Sequence, residues 1–233
     1  MRIAIIPARG GSKRIKRKNI KNFCGKPIIG WTIDIAKKSK LFDKIIVSTE
    51  DKQIANVAKK YKAEVPFSRP MRLADDYVGT SKVVVHAINW LQKNGHQPTD
   101  VCCIYPTASL MQVKDLKASL KHLRSGRWEY IFSATTFDHP IFKSFTKIKK
   151  SQPKIIFKKK ISVRSQDLEE TYHDAGQFYW GSVKSWLGEK KIFGENSKMI
   201  LLPRWRVQDI DVIDDWKKAE IIFRLMKTKK VIY

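Results

Sequence analysis

Arg2-Ile3-Ala4-Ile5-Ile6-Pro7-Ala8-Arg9-Gly10-Gly11-Ser12-Lys13-Arg14-Ile15-Lys16-Arg17-Lys18-Asn19 opens the 233-residue chain with an apolar run that turns abruptly into a cationic loop. Residues 2–7 suit a central parallel strand, which is buried on both faces and so needs no polar alternation. The two glycines free the backbone to curl and to aim N–H groups at an anion. Six of the nine residues 13–21 are basic. A triphosphate needs that combination of backbone donors and side-chain cations. The spacing is neither that of a Walker A loop nor that of a dinucleotide fingerprint. On the residues alone, the loop reads as a phosphate cradle or as a solvated turn of a Lys-rich chain.

Strand and helix periods alternate from there. Pro27 opens a helix with apolar Ile28, Trp31, Ile35 and Ala36 at helical spacing. Residues 44–48 read as a strand, and Ile54, Val57, Ala58 and Tyr61 as one helix face. Residues 64–67 read as a short strand. A helix from Thr80 carries Val84, Ala87, Ile88 and Leu91. A strand over 100–105 stops at Pro106. Val113, Leu116, Leu120 and Leu123 mark another helix, residues 130–135 a strand, Leu201 and Leu202 a late strand, and residues 214–226 a closing helix. This order predicts one α/β domain over 1–233, built on a doubly wound, mostly parallel, Rossmann-like sheet. Ligands in such sheets sit at the carboxyl edge of the strands. Residues of about 138–195, rich in Lys and aromatics, break the alternation and read as an inserted arm serving as substrate lid, dimer contact or both.

The net charge of +25 has two readings. One is a nucleic-acid surface that gains affinity by releasing counterions. The other is a solvated Lys-rich face on a protein of anionic small molecules. The chain shows none of the usual nucleic-acid motifs, and its lysines are spread, with eight between residues 143 and 160 and no acid among them. The second reading is the expectation. No run of eighteen apolar residues predicts a membrane span, and the first residues lack a signal-peptide pattern. Cys24, Cys102 and Cys103 form neither a metal pattern nor a disulfide framework, which suits free thiols in a reducing cytoplasm. With 42% hydrophobic residues the chain has material for a core.

Asp209 and Asp211 stand at i, i+2. On an extended segment both carboxylates project from one face and suit Mg²⁺, a hard cation with oxygen ligands. Alternatively they are solvated or capping residues, because Asp214 and Asp215 look like the start of a helix.

Four motifs in order resemble the sialic-acid-type cytidylyltransferases, the CMP-nonulosonate synthetases. They are Pro7-Ala8-Arg9-Gly10-Gly11-Ser12-Lys13-Arg14 running on to Arg17-Lys18-Asn19, then Arg69-Pro70 with Leu73-Ala74-Asp75-Asp76, then Tyr105-Pro106-Thr107-Ala108, and last Asp209-Ile210-Asp211 with Asp214-Asp215-Trp216. The chain looks most like the pseudaminic acid branch, through residues 73–80, 164–170 and 172–181. Tyr105 stands where sialic acid enzymes usually carry Gln, which argues against N-acetylneuraminate as substrate.

The resemblance implies a sheet of the nucleotide-diphospho-sugar transferase type. It implies transfer of CMP from CTP to the anomeric hydroxyl of a nine-carbon acidic sugar, with release of pyrophosphate, a need for Mg²⁺, and a homodimer. Arg9, Gly10, Gly11, Ser12, Lys13, Lys18, Asn19, Arg69 and Thr80 match CTP-binding positions, the last two reading cytosine. Lys18, Arg9, Asp209 and Asp211 match catalytic positions, the two aspartates also metal positions, with Asp209 alternatively a base. Tyr105, Thr107, Lys143, Arg164, Gln177, Tyr179 and Phe193 are candidates for the acceptor sugar, Phe193 from a dimer partner. Sialic, legionaminic or octulosonic acid are alternative acceptors. A basic nucleic-acid-binding protein is the alternative from another class.

Overall fold

The computed structural model describes residues 1–75 and 77–228; Asp76 of the second motif lies outside them. Strands are β1 (Arg2–Pro7), β2 (Asn22–Phe23), β3 (Lys26–Pro27), β4 (Lys44–Ser48), β5 (Asp100–Ile104), β6 (Tyr130–Thr136), β7 (Phe145–Lys147), β8 (Pro153–Ile155), β9 (Tyr172–Ser182) and β10 (Ser197–Leu201). Helices are α1 (Ile28–Ser39), α2 (Lys52–Lys60), α3 (Thr80–Lys93), α4 (Val113–Leu123), α5 (Val183–Leu187) and α6 (Ile213–Thr228), with short 3₁₀ turns between.

Six strands form one sheet in the order β10-β6-β9-β5-β1-β4. Every neighbouring pair is parallel except those made by β9, which runs antiparallel between β5 and β6. Side-chain alternation along β1 divides the core. Ala4 and Ile6 point to the face covered by α1, α2 and α4, whereas Ile3 and Ile5 point to the face covered by α3 and α5. All four are fully buried, which explains the unbroken apolar run. Full burial of an Ile contributes about 1.5–3 kcal/mol.

A third cluster lies at one end of the sheet and bears on function. Ile15 of the basic loop and Ile210 of the acidic segment both pack with Phe23, Ile28, Trp216 and Phe223. Phe23 meets Trp216 and Phe223 edge-on, with centroids 5.4 and 5.3 Å apart. This apolar knot ties two remote pieces of chain together before any charge acts.

Two expectations need correction. Residues 64–67 are not a strand; Glu64 makes one parallel bridge to Ile46, and Pro66 has no N–H with which to continue the ladder. The excursion is also narrower than the 138–195 pattern suggests. It ends before Tyr172, because β9 is an inner strand whose residues 177–181 are all buried. What remains outside the sheet is the β7–β8 hairpin, flanked by 3₁₀ turns at Ile141–Lys143, Lys149–Ser151 and Ser165–Asp167.

The segment leading to the acidic residues is pinned by a buried ion pair. Arg206 Nη1 and Nη2 each donate to Asp115, both at 2.7 Å, with the two residues 2% and 6% exposed. Asp115 also closes the capping box of α4 by accepting from Gln112 N. Removing one partner strands a charge in the interior, at a cost of about 3–5 kcal/mol. Arg206→Ala is expected to lower unfolding free energy by that amount in urea, and the double variant Asp115→Leu/Arg206→Met to recover much of it. Equal losses in both would contradict the pairing.

Candidate active site

A cleft of about 330 Å³ opens at the carboxyl edge of β1 and β5. Its walls are the loop after β1, the Arg69 segment, the start of α3, residues 105–107 after β5, and the acidic segment before α6. The strands set this arrangement, since parallel neighbours deliver their following loops to one edge.

The loop is held from outside by acids at the end of β4. Glu50 Oε1 accepts from Gly10 N at 2.7 Å, while Glu50 Oε2 accepts from Arg69 Nε and Nη2 at 3.1 and 2.5 Å. Arg69 is only 4% exposed, so Glu50 supplies the charge that its burial requires. Arg17, with a left-handed φ of 57°, donates twice to Asp51 at 2.5 and 3.0 Å and once to Gln53. Asp51 in turn caps α2 by accepting from Ile54 N. The loop passes so close that a Cβ at Gly10 would stand 2.6 Å from Asp51 Oδ2. Any side chain at position 10 would have to displace the Asp51 carboxylate that Arg17 holds, whereas Gly11 meets open space. Neither lines the cleft.

Inside the cleft, opposite charges face one another. Lys18 Nζ donates to the Ile210 carbonyl at 2.6 Å and lies 3.6 Å from Asp211 Oδ1. Arg14 Nη2 donates to the same Asp211 oxygen at 2.8 Å. Asn19 is buried and donates to the Arg9 carbonyl, so it braces the loop. Asp209 and Asp211 both line the cleft while Ile210 between them enters the core, as extended spacing predicts. Asp209 keeps solvent access, yet the protein crowding around it raises its carboxyl above the usual range. Repulsion from Asp211 adds to this, and Lys18 opposes it. Asp215, in the first turn of α6, reaches back to accept from Asp211 N and Val212 N, which ties the acidic segment to the helix and leaves the 209/211 pair for the cleft.

A smaller pocket of about 190 Å³ shares Thr80 and Tyr105 with the cleft and continues to Tyr179, Phe193 and Asp174. Tyr105 OH and Thr80 Oγ1 are hydrogen-bonded at 3.1 Å. Phe193 stands edge-on to Phe132 of its own chain at 5.0 Å.

Among the sequence candidates, the structure thus gathers Arg9, Ser12, Lys13, Lys18, Asn19, Arg69, Thr80, Tyr105, Thr107, Asp209 and Asp211 around one cleft, with Tyr179 and Phe193 next door. Three acceptor candidates fall outside both cavities. Lys143 ends a 3₁₀ turn, Arg164 is exposed and paired with Asp167 at 2.7 Å, and buried Gln177 donates to the Arg206 carbonyl. The sequence reading missed Arg14, Glu50, Asp51 and Asp174 as members of the site. The signal for Glu50 and Asp51 was available: they follow β4, a parallel strand next to β1, and so fall at the same edge.

A cationic glycine loop facing a carboxylate pair across the carboxyl edge of a parallel sheet is the site of a nucleotidyltransferase. The chain belongs to the cytidylyltransferase family, whose model matches residues 3–222. It is 43% identical to the pseudaminic acid cytidylyltransferase of Campylobacter jejuni subsp. jejuni over 96% of both chains. It is 32% identical to the CMP-N,N'-diacetyllegionaminic acid synthase of Legionella pneumophila, again over 96% of both. The solved structure of CMP:2-keto-3-deoxy-manno-octonic acid synthetase complexed with CTP superposes with a TM-score of 0.72 at 12% identity, over 97% of this chain and 99% of that one, a likeness of fold.

The loop anchor carries a pH signature. Hydrogen bonds from Arg17 hold the Asp51 carboxyl below the usual range, against the opposing effect of burial. A depressed carboxyl stabilises the fold fully above its unfolded value of about 3.9, and this is lost as pH falls through the folded value. Arg17→Met is therefore expected to reduce stability at pH 7 and to flatten the acid-side decline in urea midpoints. Parallel midpoint curves for both proteins below pH 5 would contradict this role.

Proposed function

We propose that the protein transfers CMP from CTP to the anomeric hydroxyl of a nine-carbon acidic sugar, pseudaminic acid, releasing pyrophosphate. The observation that carries this is the cleft itself: Arg9, Lys13 and Lys18 opposite Asp209 and Asp211, in a chain 43% identical to a pseudaminic acid cytidylyltransferase. In-line attack on the α-phosphorus is a matter of positioning and charge neutralisation. In this reading Arg9, Ser12, Lys13 and Lys18 hold the phosphates, and the leaving pyrophosphate carries its charge into them. Gly10 and Gly11 shape the loop, Asn19 keeps it folded, and Arg69 and Thr80 read the base. Thr107 borders the reacting end. Asp209 accepts the proton of the sugar hydroxyl as the bond to phosphorus forms.

The carboxylate pair fits a divalent cation. No group of three or more candidate ligands occurs among the described residues, so the remaining oxygens come from nucleotide and water, as Mg²⁺ prefers. Asp211 would hold it, with Asp209 beside it as the base, and the ion would supply charge neutralisation at the phosphate oxygens. We also propose a homodimer whose second copy covers the β7–β8 hairpin, where Phe145, Ile148 and Ile156 are exposed. Lys143 and Arg164, on this excursion, then reach an acceptor site only across such an interface or after movement of the arm. Gln177 supports the wall from behind. No helix among the described residues is long and apolar enough to cross a membrane.

The test is pyrophosphate release from a panel of nonulosonic acids with CTP and Mg²⁺. Pseudaminic acid is expected to react fastest, ahead of legionaminic, N-acetylneuraminic and octulosonic acids. Duplex binding with a steep salt dependence and no pyrophosphate release would favour the nucleic-acid reading instead. Lys18→Met is expected to lower kcat/KM by about a hundredfold. Asp211→Asn is expected to raise the Mg²⁺ concentration needed for half-maximal rate, and an unchanged Mg²⁺ dependence would remove Asp211 from the metal set. Sedimentation of a monomer at micromolar concentration would refute the dimer.

A further inference from the structure

The cleft and the smaller pocket beside it, which share Thr80 and Tyr105, differ in hydrogen-bonding character. The loop end offers donors and positive charge. The end formed by Tyr179, Phe193 and Asp174 offers acceptors and negative charge. Tyr179 OH donates to Asp174 Oδ2, and Gly176 N donates to Asp174 Oδ1 at 3.0 Å. The Tyr179 proton is thus committed to Asp174, and both side chains line the 190 Å³ pocket, where the Asp174 carboxylate keeps acceptor capacity beyond these two bonds. The bend of β9 makes this possible. Gly176 takes a left-handed φ of 61° where the β6–β9 register slips between Phe132 and Ala134. That bend also brings β9 against the acidic segment, since a Cβ at Gly176 would stand 3.6 Å from Asp209 Cγ. Asp174 therefore sits within the electrostatic reach of the reacting end of the cleft.

We infer that Asp174 is a specificity-determining residue for the acceptor: its carboxylate takes hydrogen bonds from N–H or O–H groups on neutral substituents of the sugar and excludes the sugar's own carboxylate from that end. The inference rests on the function proposed above and adds to it an orientation. An acidic sugar has one anionic group and several neutral donors. A site with cations at one end and an anchored carboxylate at the other accepts it in one direction, because the reverse pose sets two carboxylates together in a partly desolvated pocket. Tyr179 positions Asp174, and Phe193 closes the pocket beside it.

Steady-state pyrophosphate release by wild type, Asp174→Asn and Asp174→Ser, with CTP and either pseudaminic acid or N-acetylneuraminic acid, tests this. Both variants remove the charge, and melting curves identify which of them remains folded. The expected result is a KM for pseudaminic acid raised about tenfold or more, the size of a lost charge-assisted hydrogen bond. KM for CTP should stay within about twofold, and the preference between the two sugars should narrow. An active wild type whose folded Asp174 variants keep both the sugar KM and the sugar preference would overturn the inference alone. Equal rises in KM for CTP and sugar would reduce Asp174 to a structural part and overturn it too. A wild type silent with every nonulosonic acid would overturn the proposed function itself.

Discussion

Everything in the site depends on holding a dense cluster of positive charge next to a carboxylate pair without letting either collapse. Six basic residues in nine repel one another at close quarters. Two carboxylates from elsewhere in the chain pair with members of this cluster, and a third braces the loop backbone and Arg69. Glu50 takes Gly10 and Arg69, Asp51 takes Arg17, and Asp211 takes Arg14 and Lys18. The contact between Arg14 and Asp211 spans 197 positions of sequence. It survives because Ile15 and Ile210, one residue away on each side, share an apolar cluster that brings the two segments together regardless of charge. Hydrophobic contact sets the distance, and electrostatics then acts across it.

This division explains why some cations are fixed and others are free to change partner. Arg69 and Arg17 lean on acids outside the cleft, in contacts that organise the wall. Arg14 and Lys18 lean on Asp211, which itself lines the cleft. A bound polyphosphate with its counterion offers both sides stronger partners than they give each other. The Arg14–Asp211 contact is exposed and contributes little to stability, so exchanging it costs little. The sheet supplies the other half of the design. By placing one antiparallel strand at its centre, it delivers Asp174 and Tyr179 to the same edge as the loops of the parallel strands.

Much of this was legible in the sequence. The unbroken apolar run of β1, the KIIVS strand and the four periodic helices from 28 to 123 showed their type because each has a single dominant period. The cleft residues from Arg9 to Lys18 and the Asp209/Asp211 pair were legible because glycine, charge and i, i+2 spacing carry direct chemical meaning. What stayed hidden depended on tertiary placement. Tyr172–Ser182 read as an alternating strand around Gln177 and Tyr179 but as part of the inserted arm, since nothing in its sequence marks the place between β5 and β6. Glu50 and Asp51 gain their meaning only from the sheet edge at which β4 ends. Asp174 gains its meaning only from the pocket it shares with Tyr179. Lys143 was chosen by resemblance, Arg164 for its bidentate geometry and Gln177 by strand alternation, and within a single chain none of them lines either cavity.

The central claim is that the curled loop after β1 and the acidic segment before α6 together form the seat of a nucleoside triphosphate. A crystal structure of the protein with CTP and Mg²⁺ tests it most directly. The account predicts the triphosphate against Arg9, Ser12, Lys13 and Lys18, the cytosine beside Arg69 and Thr80, and the ion on Asp211, with Arg14 released from that carboxylate. Nucleotide density elsewhere on the surface, with the Arg14–Asp211 contact intact and the cleft filled by water, would contradict it.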